Sequence, residues 1–355
     1  MDTNLRLIPE GNLSYNNIEL CEQMIRKLYF NIPFIAELPQ IDINDTTLLR
    51  TLSGFRNLKL NKNSLIFDDS SDAYIRTLEL LNDAYNNMGQ TSLEAFAINA
   101  PFMDSYLQIL KEAHPKYTIL KLTGIFSVMR MVGNVDTITV LSDKSYRKFF
   151  SMAITSKALW FIQKVKEISP NTVPIINFEE PLLYTFGNIK RNNAVISDDT
   201  IIMLFSKIFQ RIKAEGGLIC VQSFEKCNWL PVLAASPNMI SFAAYNNPNN
   251  LSIIPGEINE FLAKGGHINW AIVPVDTERT IKSLTIDALE HKLIKTMEDL
   301  ISCGVSSQLV YKHASVSLQG HLANIPLFFA EKAHILVKQL SGKIPTSAPP
   351  APQAE

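Results

Sequence analysis

Short apolar runs closed by glycine, proline or a carboxylate alternate along this chain with longer stretches whose apolar residues recur every three or four positions. The first pattern predicts buried strands and the second amphipathic helices. Asn4 to Pro9 reads as a first extended segment, Asn16 through Tyr29 as a helix, and Asn31 to Gln40, framed by two prolines, as a second extended segment. From Ile41 to about Pro115 the pattern predicts mostly helix, clearest over Ser71 to Met88. A strand at Tyr117–Gly124, a long helix from Asp143 to Glu167 and a strand at Val173–Pro181 follow. A helix opened by Ser197-Asp198-Asp199 runs to Ala214 and stops at Gly216-Gly217.

The second half repeats the unit with shorter spacing. Strands are predicted at Leu218–Gln222, Met239–Tyr245, His267–Val273 and Gln308–His313. Helices fall between them at Trp229–Ala235, Pro255–Lys264 and Glu278–Ser302, and a last one runs from Ile325 to Leu340. About eight strands with helices between most of them predict an α/β fold, a (β/α)8 TIM barrel with N-terminal helical insertions, in one domain over residues 1–340. Residues 341–355, rich in proline and alanine, are expected to form a disordered tail. A doubly wound sheet is the alternative, but no GxGxxG turn or P-loop is present.

Composition narrows the function classes. Apolar residues make up 46% of the 355 and charged residues 19%, and the net charge is −1, so nothing marks a nucleic-acid or anionic-membrane surface. No apolar run is long enough to span a bilayer, and the amino terminus lacks a signal-peptide pattern. Four scattered cysteines predict reduced thiols rather than a disulfide framework, and a cytoplasmic protein is expected.

In a barrel, chemistry gathers at the C-terminal ends of strands. Those ends offer Glu37 with Gln40, Thr123 with Ser127, Glu179 with Glu180, Cys220 with Gln222, Tyr245 with Asn246, Trp270 with Asp276, and His313 with Ser315 and Ser317. Adjacent strand residues point to opposite sides, so Glu179 and Glu180 cannot share one core. A metal centre would draw on Cys220, Cys227, His313 and His321, with Glu179 as a further candidate, yet the spacing of the two cysteines is no zinc knuckle. Cys220 also reads simply as a small buried hydrophobe. No GxSxG elbow marks a serine nucleophile.

Ile32-Pro33-Phe34 through Leu38-Pro39-Gln40, Lys121-Leu122-Thr123-Gly124, Phe178-Glu179-Glu180-Pro181, Ile240 to Tyr245 and Gly265-Gly266-His267-Ile268-Asn269-Trp270-Ala271-Ile272-Val273-Pro274 occur in an order that resembles the uroporphyrinogen decarboxylase and cobalamin-independent methionine synthase superfamily. Within it, the likeness is to the catalytic C-terminal half of methionine synthase, which activates a thiol on zinc held by a His, two Cys and a Glu. Here the His-x-Cys pair falls at Cys220-Val221-Gln222, the next strand's acid at Ala243 and the last cysteine at Leu318, so at most one thiolate ligand survives. The arginines of the decarboxylase branch are missing from Ile35 to Pro39.

The resemblance therefore implies a barrel that has lost zinc-dependent methyl transfer and binds a small ligand or a protein partner at its mouth, through Glu179, Glu180, Glu37, Ser127 and Trp270. No cofactor is expected on that reading. The alternative is a methyltransferase acting on a small thiol or amino-acid acceptor through a rebuilt metal site, with zinc on Cys220 and His321.

Overall fold

The computed structural model describes residues 5–62, 64–186, 190–191, 194–195 and 197–345. Its centre is a six-stranded sheet with every pair parallel. The strands are β1 (Tyr117–Thr123), β2 (Val173–Glu179), β3 (Leu218–Ser223), β4 (Met239–Ala243), β5 (His267–Pro274) and β6 (Ala314–Gln319). They lie side by side in chain order, the arrangement that successive strand–helix crossovers produce. The fold is thus α/β around a parallel sheet.

Two N-terminal segments meet the edges of the sheet. Leu7 bridges Val316 on β6 and Phe34 bridges Ile119 on β1, both in parallel sense. Ile8 N–H donates to the Val316 carbonyl at 3.0 Å, and Ile119 N–H donates to the Pro33 carbonyl at 3.2 Å. The segments also meet each other, through a parallel bridge between Asn12 and Glu37.

The two faces of the sheet differ in chemistry. The register places Ile176, Phe178, Val221, Ile240, Phe242, Ile268 and Trp270 on one face. This face takes the covering helices: Phe178 stacks on Phe209 of helix Asp198–Ala214 with ring centroids 6.2 Å apart. The other face carries Lys121, Asn177, Cys220, Gln222, Ser241, Asn269, Ser315 and Ser317, all buried. Parallel strands buried on both faces are ordinarily rich in branched apolar residues. Here several of the polar groups pair with one another: Asn269 Nδ2 donates to the hydroxyls of Ser241 and Ser317, each at 2.8 Å, and Asn269 Oδ1 accepts from the Ser315 hydroxyl at 3.1 Å. Asn177 donates to Gln222 at 2.6 Å.

Three sequence expectations change. Residues 307–312 form a helix, Ser307–Lys312, and the strand comes after it as β6. His313 consequently sits at the N-terminal end of β6, its ring edge-on to His267 at the start of β5, with centroids 6.4 Å apart. The N-terminal insertion also contains a hairpin, Leu58–Asn61 with Ser64–Phe67, besides its helices. The long segment after Glu278 is two helices, Glu278–Ser283 and Ile286–Ser302. The expected tail falls from residue 346 onward outside the described residues. No helix among the described residues is long and apolar enough to cross a membrane. Cys21, Cys220, Cys227 and Cys303 are all free.

Candidate functional site at the strand ends

Lys121 lies on β1 with its side chain 7% exposed, and its ammonium has been taken almost wholly out of water. Such a charge is tolerated only when paired. The chain supplies two carboxylates at its tip: Glu10 Oε2 at 2.8 Å and Glu179 Oε1 at 3.4 Å. Burial alone would lower the Lys121 pKa, but the charges of Glu10, Glu179 and Glu37 outweigh it and raise the pKa above the usual lysine range. Glu179 follows the same logic with opposite sign. Burial favours its neutral form, yet the Lys121 charge and a hydrogen bond from His321 hold its pKa down at about 2. Glu10 is the member that burial wins: its pKa is raised, with the Glu179 charge adding to that effect and Lys121 opposing it.

His321 closes the cluster on the solvent side. Its Nε2 stands 3.3 Å from Glu179 Oε1, and its side chain remains 49% exposed where Glu179 is 12% exposed. The hydrogen bond to Glu179 raises the imidazole pKa, against a smaller opposing effect of burial. A cavity of about 420 Å³ opens beside this pair, lined by Glu179, His321, Asn12, Thr46, Thr47 and Thr123 and by the apolar Leu48, Met131, Pro181 and Leu182.

Glu180 points elsewhere, as strand alternation requires. Its carboxylate accepts from the Phe126 N–H at 3.1 Å, the Ser127 N–H at 2.8 Å and the Ser127 hydroxyl at 2.6 Å. It thereby satisfies the first amides of helix Ile125–Arg130. The fit explains Gly124, where a Cβ would fall 2.1 Å from Glu180 Oε1. Burial outweighs these hydrogen bonds and pushes the Glu180 pKa up to about 7. Glu37 has a similar task, accepting from the Thr47 hydroxyl at 2.8 Å and the Thr47 N–H at 3.1 Å at the start of helix Thr47–Leu52.

Of the residues singled out from sequence, the structure brings Glu179 and His321 together and sets Glu37 within electrostatic reach of the same Lys121. Glu180 and Ser127 are joined to each other. Trp270 is not brought to the cluster: it stands on the helix-facing side, edge-on to Phe242 at 5.3 Å. Cys220 lies in register with Asn177, buried, and burial pushes its thiol pKa well above the ordinary value. Among the described residues, no three His, Cys, Asp or Glu side chains converge as metal ligands would. Lys121 and Glu10 escaped the sequence reading. The one signal for Lys121 was a cation in the middle of an otherwise apolar strand, where burial forces a partner.

No family model and no curated protein matches the chain. Among solved structures it is similar to a xylose isomerase-like TIM barrel protein from Mycobacterium smegmatis, solved in complex with magnesium. That likeness has 9% identity and a TM-score of 0.34, covering 78% of this chain and 92% of the other. At that level it carries no argument about fold or chemistry. The resemblance to the uroporphyrinogen decarboxylase and methionine synthase superfamily is therefore corrected, since the chain matches no model of that family. The segments that suggested it have local physical reasons instead. Gly124 and Glu180 form a helix start that leaves no room for a Cβ, and Gly265, at φ +84°, turns the chain from helix Pro255–Ala263 into β5.

Proposed function

We propose that this protein binds a small organic molecule carrying a cationic group at the C-terminal ends of its strands, the ammonium meeting Glu179 and the apolar body filling the adjoining cavity. The observation that carries this reading is the charge balance around Lys121. Three carboxylates, Glu10, Glu37 and Glu179, act on one buried ammonium, and the only further cation of the cluster among the described residues is the rim imidazole of His321. Glu179 is the ionised member that also lines the cavity. A ligand cation would displace or supplement His321 there, and Leu48, Met131 and Leu182 favour an aliphatic body.

On the same reading the six strands and the two bridging segments are a closed eight-membered barrel, whose mouth is the usual ligand position in such folds. The four free cysteines support a reducing, cytoplasmic compartment.

n-Butylammonium and its neutral counterpart n-butanol test the site, with 1H–15N spectra of the His321 ring as readout. The ammonium should shift the His321 signals saturably at millimolar concentration and butanol should not. Glu179→Gln should abolish the shift. Equal response to both probes, or an unchanged response in Glu179→Gln, would sink the proposal.

A further inference from the structure

Lys157 lies inside helix Lys144–Ile168 with no exposed surface, and its ammonium nitrogen finds no carboxylate partner among the described residues. Its neighbours are the Ser53 hydroxyl at 2.6 Å, the Ala97 carbonyl at 3.3 Å and the face of the Phe55 ring, 5.7 Å from the centroid. Ser53 is half-buried and lines a second cavity, of about 300 Å³, whose walls include Leu49, Leu52, Leu58, Leu60 and Asn99. The serine stands just past helix Thr47–Leu52, on a tight reversal. Gly54 follows at φ +86°, where a Cβ would come within 2.5 Å of the Ala95 carbonyl oxygen. The Ser53 hydroxyl donates to the Arg50 carbonyl at 2.9 Å and accepts from Lys157, so a carbonyl and a buried amine hold it on the protein side while the residue lines the cavity on the other.

We propose that Ser53 and Lys157 form a nucleophile–base pair that accepts and hydrolyses small aliphatic acyl esters in this second cavity. A lysine amine serves as base only when neutral, and burial without a countercharge lowers the Lys157 pKa to about 7. In the first step the bond from Ser53 Oγ to the acyl carbon forms and the bond from that carbon to the ester oxygen breaks. The serine proton moves to Lys157 Nζ and then to the departing alkoxide. In the second step water adds to the acyl carbon, the bond to Ser53 Oγ breaks, and the water proton returns through Lys157 to the serine. The leucine side chains suit an aliphatic acyl group, and Asn99, Asn44 and Arg50 line the same cavity as polar residues. This pair is separate from the strand-end cluster and does not depend on the ligand proposed there.

Para-nitrophenyl acetate, butyrate and a fluorophosphonate probe test the pair on the full chain, with intact-protein mass and peptide mapping as readouts. An acyl or phosphonyl adduct should map to Ser53, and Ser53→Ala should remove it. Lys157→Met should slow acylation by about 100-fold or more, and the wild-type rate should rise with pH around a midpoint near 7. Because Ser53 is half-buried, Ser53→Ala keeps the test decisive even if Lys157→Met fails to fold. No adduct on the wild-type chain, an adduct that survives Ser53→Ala, or a folded Lys157→Met that reacts at the wild-type rate would each overturn the proposal.

Discussion

Lys121 and Lys157 are both buried, yet their surroundings drive them in opposite directions. Lys121 faces carboxylates, so its charge is held and its pKa rises. Lys157 faces a hydroxyl, a carbonyl and an aromatic ring, so its pKa falls to about 7. The lesson concerns where charge is structural. At the strand ends the ammonium holds two acidic segments together, whereas on helix Lys144–Ile168 the amine is a hydrogen-bonding group that is largely neutral only above about pH 7.

Replacing each lysine by methionine breaks the comparison most strongly. Lys121→Met leaves Glu10 and Glu179 buried beside each other with only the half-exposed His321 imidazole as counterion, and should cost about 3–5 kcal/mol in urea unfolding. Lys157→Met removes an amine that has no countercharge to strand, and should stay within about 1 kcal/mol of the wild type. The pH profiles should differ as well. The unfolded chain binds a proton at Lys157 that the folded chain has lost between pH 7 and about 10.5. That lysine therefore makes stability rise with pH across the window, and Lys157→Met should remove the rise. A Lys121→Met protein as stable as Lys157→Met would erase the distinction.

The neighbouring pair Glu179 and Glu180 repeats the contrast at smaller scale. Glu180 is tied to the start of helix Ile125–Arg130 and Gly124 is shaped to it. Gly124→Ala should cost about 1–3 kcal/mol by forcing the carboxylate off its donors. The same change should cost less in a Glu180→Ala background, where the clash partner is gone, so a double-mutant cycle reads the coupling directly. Additive costs would show that Gly124 is needed for some other reason.

The sequence exposed some of this and concealed the rest for physical reasons. β1 to β5 are legible because their helix-facing residues make continuous apolar runs ended by glycine, proline or acid. β6 is not: its interior residues Ser315 and Ser317 belong to the Asn269 network, so Ala314–Gln319 looks like a polar loop while the apolar helix Ser307–Lys312 looks like a strand. Glu37 and Glu180 look like ligand groups in the sequence because their partners, Thr47 and Ser127, are brought to them only by folding. Lys157 sits in a helix buried on nearly every side, which erases the polar face that would have marked it as exceptional.

The smallest expected effect belongs to the rim, where Glu179 and His321 set opposite pH limits on one interaction. Glu179 has its folded pKa depressed to about 2, so its contribution is present above the unfolded carboxylate value near 4.5 and is lost as pH falls from there towards 2. His321 has its folded pKa raised above 6.5, so its contribution is complete below 6.5 and is lost as pH rises through the higher folded value. The pair is therefore strongest between those limits, at about pH 4.5 to 6.5. His321→Ala should cost under about 1 kcal/mol there, because water reaches half of the imidazole and screens the attraction. The cost should shrink as pH rises through the raised folded value, above which the ring is neutral in both states. Urea midpoints at pH 5.5 and pH 9 decide the matter. An equal loss at both would assign His321 a packing role.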